Sequence, residues 1–255
     1  MLIQPTLERL HAMRLGGMAE AFRQQLEDPQ MADLAFADRF AMLVESQWLW
    51  KQSRALARRL ALAKLKQKAC LEDIDFRHAR GLDKTRLLHL AHESLWVRNK
   101  RTILLVGQTG IGKTYLACAL AHKACRDGYS ALYTRMPQLS RELRAARADN
   151  SLGRMLARLA RVDVLVVDDW LIDPLQEIER RDFLEIFDDR HGQRATVLAS
   201  QLPRDTWHER IGDPTKADSI LDRLLHGAQV FELRGESLRK AQARTQQAAE
   251  EGGGS

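Results

Sequence analysis

The chain of 255 residues carries 40 Lys and Arg against 34 Asp and Glu, a formal net charge of +6, with 45% apolar and 29% charged residues. That composition supports a buried core and excludes a generally disordered chain, and the length allows one or two domains. No apolar run approaches the roughly 18 residues of a membrane-spanning helix. The opening Met1-Leu2-Ile3-Gln4-Pro5 lacks a signal-peptide layout, and Cys70, Cys118 and Cys125 show no CxxC spacing, so a cytoplasmic protein with buried free thiols and no membrane or zinc partner is expected.

Residues 1–50 hold four basic and seven acidic side chains, whereas residues 51–68 hold Lys51, Arg54, Arg58, Arg59, Lys64, Lys66 and Lys68 with no acid. The basic excess is therefore one segment. Before it, Leu7, Leu10, Met18, Phe22 and Leu26, then Phe36, Phe40, Leu43 and Val44, recur at helical spacing and predict two amphipathic helices separated by a turn at Asp28-Pro29. The basic segment continues the second helix as a cationic flank, with Leu56, Leu60 and Leu65 for its apolar face. Residues 69–100, with the turn Arg80-Gly81-Leu82-Asp83, read as a connector. Short apolar runs then predict strands at 102–106, 131–134, 164–167, 196–199 and 229–233, with helices starting near Lys113, Pro137, Glu177 and Ala217, the signature of a parallel α/β sheet. The expected division is a helical domain over 1–70, a connector over 71–100, an α/β domain over 101–245 and a disordered tail over 246–255, whose final Glu-Gly-Gly-Gly-Ser packs nothing.

Gly107-Gln108-Thr109-Gly110-Ile111-Gly112-Lys113-Thr114 fits G-x-x-x-x-G-K-[ST] and stands between an expected strand and an expected helix. Its glycines let backbone N–H groups close around phosphate oxygens at a helix N-terminus. Lys113 supplies a point charge to the β- and γ-phosphates and Thr114 a hydroxyl ligand to Mg²⁺. Val164-Leu165-Val166-Val167 ends in Asp168-Asp169, carboxylates at the edge of a buried strand where ligands sit. Asp168 is then the acid that orders Mg²⁺ through its water shell, and Asp169 is placed to polarise an attacking water; an Asp pair capping the next helix is the competing reading. Ser200 and Gln201, after the next strand, either hydrogen-bond the γ-phosphate or lytic water or form an ordinary turn. Arg223 is either a guanidinium that reaches a neighbouring subunit's nucleotide or an ordinary surface residue.

Together with Glu179-Arg180-Arg181-Asp182, Ala199-Ser200-Gln201-Leu202-Pro203, Ile211-Gly212-Asp213-Pro214-Thr215, Ile220-Leu221-Asp222-Arg223-Leu224 and Gly235-Glu236-Ser237-Leu238-Arg239-Lys240, these motifs resemble the IstB family. Its members are AAA+ ATPase helpers of insertion-sequence transposition, related to the helicase loader DnaC and the initiator DnaA. The resemblance also takes in Leu71-Glu72-Asp73-Ile74-Asp75-Phe76 and the helical N-terminus, nearly the whole chain to about residue 240. It implies an AAA+ P-loop NTPase with a parallel five-stranded sheet behind a small all-α domain.

The resemblance makes Lys113 and Thr114 the phosphate-loop residues, Asp168 the Mg²⁺ acid, Asp169 the catalytic acid, Gln201 or Ser200 the first sensor and Arg223 an arginine finger acting in trans. Most AAA+ proteins have Glu where Asp169 stands, so slow hydrolysis is expected unless a partner completes the site. Arg234 and Arg239 are the candidates for a second sensor, and Ile74 and Phe76 are either base contacts or core residues. The implied cofactors are ATP and Mg²⁺; the implied partners are double-stranded DNA, further copies of the chain and an IstA-type transposase. A DnaC-like helicase loader shares the ATPase core but binds a helicase and single strands. Trp48 and Trp50 precede the basic segment rather than interleave with it, which favours duplex phosphates over stacked single strands. A P-loop kinase for a small acceptor, with the basic run a solvated face, is the third reading.

Overall fold

The computed structural model describes residues 3–77 and 80–237, in two compact units, one ending at Arg58 and one beginning at Arg59. Leu238, Arg239, Lys240 and the expected tail over 246–255 lie outside the described residues.

The first unit contains α1 (Ile3–Ala12), α2 (Gly16–Glu27), a 3₁₀ turn (Pro29–Asp33) and most of α3 (Phe36–Ala63). The one helix expected before Asp28 is thus two. Arg14 adopts a left-handed φ of 59° and the Leu15 N–H reaches back to Leu10 O at 2.8 Å, which closes α1 before the next helix begins. Gly17 lets α2 approach α3: a Cβ there would fall 2.6 Å from Trp50 Cβ and 2.8 Å from Ser46 O. Asp28 accepts from Gln30 N to cap the 3₁₀ turn, with Pro29 at its first position, as the turn signal implies. The cationic helix is shorter than expected. It ends at Ala63, Lys64 takes a left-handed φ of 51°, and Lys64, Lys66 and Lys68 therefore stand in irregular chain.

The second unit holds α4 (Lys84–Ala91), α5 (Leu95–Arg98), β1 (Thr102–Gly107), α6 (Lys113–Arg126), β2 (Ala131–Arg135), α7 (Met136–Ala148), α8 (Leu152–Arg161), β3 (Val164–Asp168), α9 (Glu177–Arg190), β4 (Ala195–Ser200), α10 (Trp207–Ile211), α11 (Pro214–Leu225) and β5 (Gln229–Leu233). Residues 71–100 contribute α4, α5 and the buried Leu87, Ala91, Trp96 and Val97 to this unit. All five strands are parallel, in the order β2-β3-β4-β1-β5. Their residues are apolar in unbroken runs because helices cover both faces. On one face lies α6, whose Ala117, Cys118, Ala119, Ala121 and Ala124 are small enough for close approach. On the other, Leu104, Val106, Leu165, Val167 and Leu198 pack with Trp170, Phe183, Phe187 and Trp207. The expected strands are all present; α11 starts three residues earlier than expected, because Asp213 accepts from Lys216 N as its cap and Pro214 fits the first helical position. Among the described residues no helix is long and apolar enough to cross a membrane.

Candidate nucleotide-binding site

Parallel register brings the carboxyl ends of all five strands together: Val106 pairs with Ser200, Arg135 with Asp168 and Gly107 with Leu233. The loop 107–112 follows β1 and leads into the N-terminus of α6, the crevice where an α/β sheet receives its ligand. Gly107 must be glycine, since at φ 155° a Cβ would lie 2.3 Å from Leu233 O. Lys113, only 6% exposed, donates its ammonium to Gly107 O at 2.6 Å and Gln108 O at 2.9 Å, so it lies across the loop it serves.

Thr114 Oγ1 donates to Asp168 Oδ2 at 2.7 Å, and Tyr133 from β2 donates its hydroxyl to the same oxygen at 2.7 Å. Asp168 is 1% exposed and also accepts from Asp169 N at 3.0 Å. Burial, with the Asp168 carboxylate beside it, pushes the Tyr133 hydroxyl well above the usual phenol range, so it stays a donor. A hydroxyl and an ionisable carboxylate 2.7 Å apart at the foot of a phosphate loop are the hard oxygen donors that Mg²⁺ prefers, directly or through water, and the loop before α6 fits the phosphates of ATP. The residues present therefore fit both groups.

Asp169 leaves β3 with a left-handed φ of 55°, held by the Trp170 N–H on Ala199 O at 2.9 Å. This backbone strain turns its carboxylate to the rim. Arg135 Nε donates to Oδ2 at 2.6 Å, and Gln201 Nε2 donates to Oδ1 at 3.2 Å. The Thr109 hydroxyl in turn donates to Gln201 Oε1, so the phosphate loop, Gln201 and Asp169 form one chain of hydrogen bonds.

The sequence-predicted residues Gly107 to Thr114, Asp168, Asp169 and Gln201 thus meet at one sheet edge. Ser200 does not face it: fully buried, its hydroxyl donates to Trp170 O at 2.9 Å and accepts from Leu202 N at 3.2 Å, which favours Gln201 as the polar group toward the ligand. Ile74 is buried in the core, whereas Phe76 is half-buried with the Lys84 ammonium 5.5 Å from its ring centre. Arg234 donates to Glu232 at 2.9 Å. Arg223 lies at the other end of the sheet, in a cleft with Thr102 and Thr196, near the starts of β1 and β4, and bonds to Asp188 at 3.0 Å and Asp222 at 3.2 Å. Of the basic segment, Lys51, Arg54, Arg58, Lys64, Lys66 and Lys68 are exposed, while Arg59 is half-buried and donates to Cys125 O, in the last turn of α6, at 2.8 Å. Tyr133 and Arg135 escape sequence reasoning because they become neighbours of the Asp pair only through the pairing of β2 with β3.

A family model described as IstB-like ATP binding protein matches residues 8–246. The chain is 46% identical over 244 residues, 96% of its length and 99% of the relative's, to an insertion sequence ATP-binding protein, y4pL, of Sinorhizobium fredii (strain NBRC 101917 / NGR234). It is 48% identical over 207 residues, 81% of its length and 89% of the relative's, to an ATP-binding protein of insertion sequence IS1162 of Pseudomonas fluorescens. Among solved structures, DnaI matches with a TM-score of 0.55 at 24% identity, over 66% of this chain and 92% of that one. The DnaC helicase loader matches with a TM-score of 0.51 at 18% identity, over 65% and 97%. These two likenesses show the fold, a parallel sheet with helices on both faces.

Proposed function

This chain belongs to the IstB-like ATP-binding protein family, and on that premise we propose that it is an ATP-dependent, DNA-binding helper of insertion-sequence transposition. In this reading copies of the chain assemble on duplex DNA with ATP between adjacent subunits, present that DNA to an IstA-type transposase, and come apart when ATP is hydrolysed. The observation that carries the ATPase reading is the convergence of Lys113, Thr114, Asp168, Asp169 and Gln201 at one strand edge.

Bound Mg·ATP supplies the γ-phosphoryl group and a divalent charge beside it. Lys113 exchanges its loop carbonyls for phosphate oxygens, and the α6 N-terminus adds its dipole. Thr114 and Asp168 would hold the metal, with Tyr133 fixing the carboxylate. Asp169 accepts the proton of the attacking water, and Gln201, joined to both Thr109 and Asp169, orients that water. Asp169 is shorter than the Glu usual in AAA+ proteins and is tied to Arg135, which supports slow basal turnover. Arg223 stands one strand length, about 17 Å, from its own phosphate loop, too far for a guanidinium to act in cis and suited to action in trans.

For DNA, the support is the acid-free run of exposed cations at Lys51, Arg54, Arg58, Lys64, Lys66 and Lys68. A helicase-loader role shares the fold, but the relatives matched over nearly the full chain are insertion sequence proteins, and this favours the transposition reading. Electron microscopy of the full chain with duplex DNA, comparing ADP with a non-hydrolysable ATP analogue, tests it. Oligomers on duplex DNA only with the triphosphate are expected, together with DNA-stimulated phosphate release. Assembly only on single strands would transfer the chain to the loader reading, and no assembly with either DNA would remove both.

A further inference from the structure

Arg80 lies just before α4, and sequence alone marks it only as a turn residue. In the fold it is 3% exposed. Its Nη1 donates to Ile111 O, in the middle of the phosphate loop, at 3.2 Å, and its Nη2 donates to Asp75 O at 3.3 Å. Its own carbonyl accepts from Arg234 N at 2.9 Å, just past β5, and the Gly81 Cα lies so close beneath β5 that a Cβ there would come within 3.2 Å of Glu232 O. One residue therefore joins Asp75, the phosphate loop and the end of β5.

Stability is a poor account of this arrangement. The Arg80 Nε is buried without a hydrogen-bond partner, and burial pulls the guanidinium below its usual pKa, opposed by Asp75. A buried cation with an unmet donor costs stability that an apolar residue of the same volume would not. The loop contact has a different consequence. Every peptide bond described is trans, so the Ile111 carbonyl and the Gly112 N–H point in opposite directions. With the carbonyl turned onto Arg80, and the Ile111 side chain fully buried, the Gly112 N–H points away from Arg80.

We infer that Arg80 is a positioning residue of the phosphate loop, which holds the Ile111–Gly112 peptide in its anion-receiving orientation and places a fixed positive charge behind it. The ligand it serves is the polyphosphate moiety, not the base. This rests on the nucleotide-site reading above, deepening it by assigning to a residue outside the loop the preorganisation of one loop amide.

The test is calorimetric titration of the full chain with ATP and, separately, with inorganic tripolyphosphate, for wild type, Arg80→Met and Arg80→Lys. A fold of ten to a hundred, roughly what one hydrogen bond to a charged group contributes, should be lost by Arg80→Met for both ligands alike. Arg80→Lys, which keeps the charge and one donor, should recover part of it for both. In glycine-labelled protein the Gly112 amide resonance should move on tripolyphosphate addition in wild type and move less in Arg80→Met, a change that lowered stability alone would not produce. Loss of ATP affinity with tripolyphosphate affinity intact would overturn the inference in favour of a base-side role through Asp75. Wild-type affinity for both ligands in folded Arg80→Met, or equal loss in Met and Lys variants, would also overturn it. Absence of binding in the wild-type chain would remove the nucleotide-site reading itself and this inference with it, an outcome distinct from the other three.

Discussion

Arg135 Nε stands 2.6 Å from Asp169 Oδ2, at the point where β2 and β3 end side by side. With Gln201 on the other oxygen at 3.2 Å, both oxygens of the proposed general base are already hydrogen-bonded to protein donors. The Asp169 attraction also raises the Arg135 pKa, so the guanidinium stays charged across any workable pH. Each oxygen keeps a further lone pair for water, but the Arg135 guanidinium crowds the approach of an attacking water to Oδ2.

Arg135→Met should therefore raise DNA-independent ATP turnover while leaving ATP affinity near that of wild type. The Arg135 side chain is 48% exposed, so solvent screens the pair; at up to ~1 kcal/mol for such a bridge, the gain is about fivefold at most. Phosphate release at saturating ATP measures it. Turnover unchanged or lowered would mean that Arg135 supports Asp169 rather than restrains it.

Asp168 makes a complementary prediction. Removing the Tyr133 hydroxyl by Tyr133→Phe leaves the Asp168 carboxylate with Thr114 and the Asp169 N–H but frees it to rotate. The Mg²⁺ concentration for half-maximal turnover should rise about ten- to a hundredfold, in the range expected for an outer partner of a metal-holding carboxylate. Metal titration at fixed ATP decides this, and an unchanged midpoint would confine Tyr133 to packing.

Much of this edge is legible in the sequence, because strand, glycine loop and Lys-Thr are contiguous, and because Asp168-Asp169 ends an unmistakably buried strand. Ser200 and Gln201 follow from the same reasoning one strand later, and only the structure chooses Gln201 between them. Tyr133 and Arg135 do not, since their role depends on β2 lying beside β3, and Arg80 does not, since its side chain runs from a turn into the interior. The break between α1 and α2 is also hidden: the apolar spacing passes through Arg14 as though one helix continued, and only tight packing at Gly17 shows why the chain must bend. Helix α8 is absent from the expected elements, although Leu152, Met155, Leu156 and Leu159 recur at helical spacing.

The Gly17 contact predicts a large local effect. Gly17→Ala would place a Cβ 2.6 Å from Trp50 Cβ and 2.8 Å from Ser46 O, and neither atom is the far end of a flexible side chain. Overpacking of this kind costs about 1–3 kcal/mol. Since Gly17, Ser46 and Trp50 belong to the unit that ends at Arg58, thermal unfolding should show that unit weakened while ATP affinity holds. A matching loss of ATP affinity would mean the two units do not unfold separately.

Action in trans by Arg223 predicts complementation. Lys113→Ala should lose ATP binding, and Arg223→Ala should keep it while losing hydrolysis, a finger being worth about 10³- to 10⁵-fold in rate. Mixed, some junctions pair an intact phosphate loop with an intact Arg223, so activity should return above that of either variant. No recovery at any ratio would argue that Arg223, bonded to Asp188 and Asp222, is a surface residue.

The exposed basic residues make a quantitative prediction that separates DNA contact from packing. Arg54 and Arg58 are exposed on α3, the Arg54 guanidinium lying 4.6 Å from the Trp50 ring centre, whereas Arg59 donates to Cys125 O and so helps close the end of α6. If Arg54 and Arg58 each neutralise one phosphate, changing both to Ala should make the plot of log affinity against log salt less steep by about 1.8 per protomer, at roughly 0.9 per contact. The loss should be the same on unrelated duplexes, because phosphate contacts carry no sequence information. Arg59→Ala should instead lower thermal stability, by about 1 kcal/mol for a partly exposed charge-assisted hydrogen bond. Salt titrations with ATP present, alongside melting curves of the same variants, distinguish the two roles. An unchanged slope in the Arg54 and Arg58 double variant would move the DNA contact off α3 and leave Lys64, Lys66 and Lys68, in the irregular chain beyond the helix, as the next residues to change.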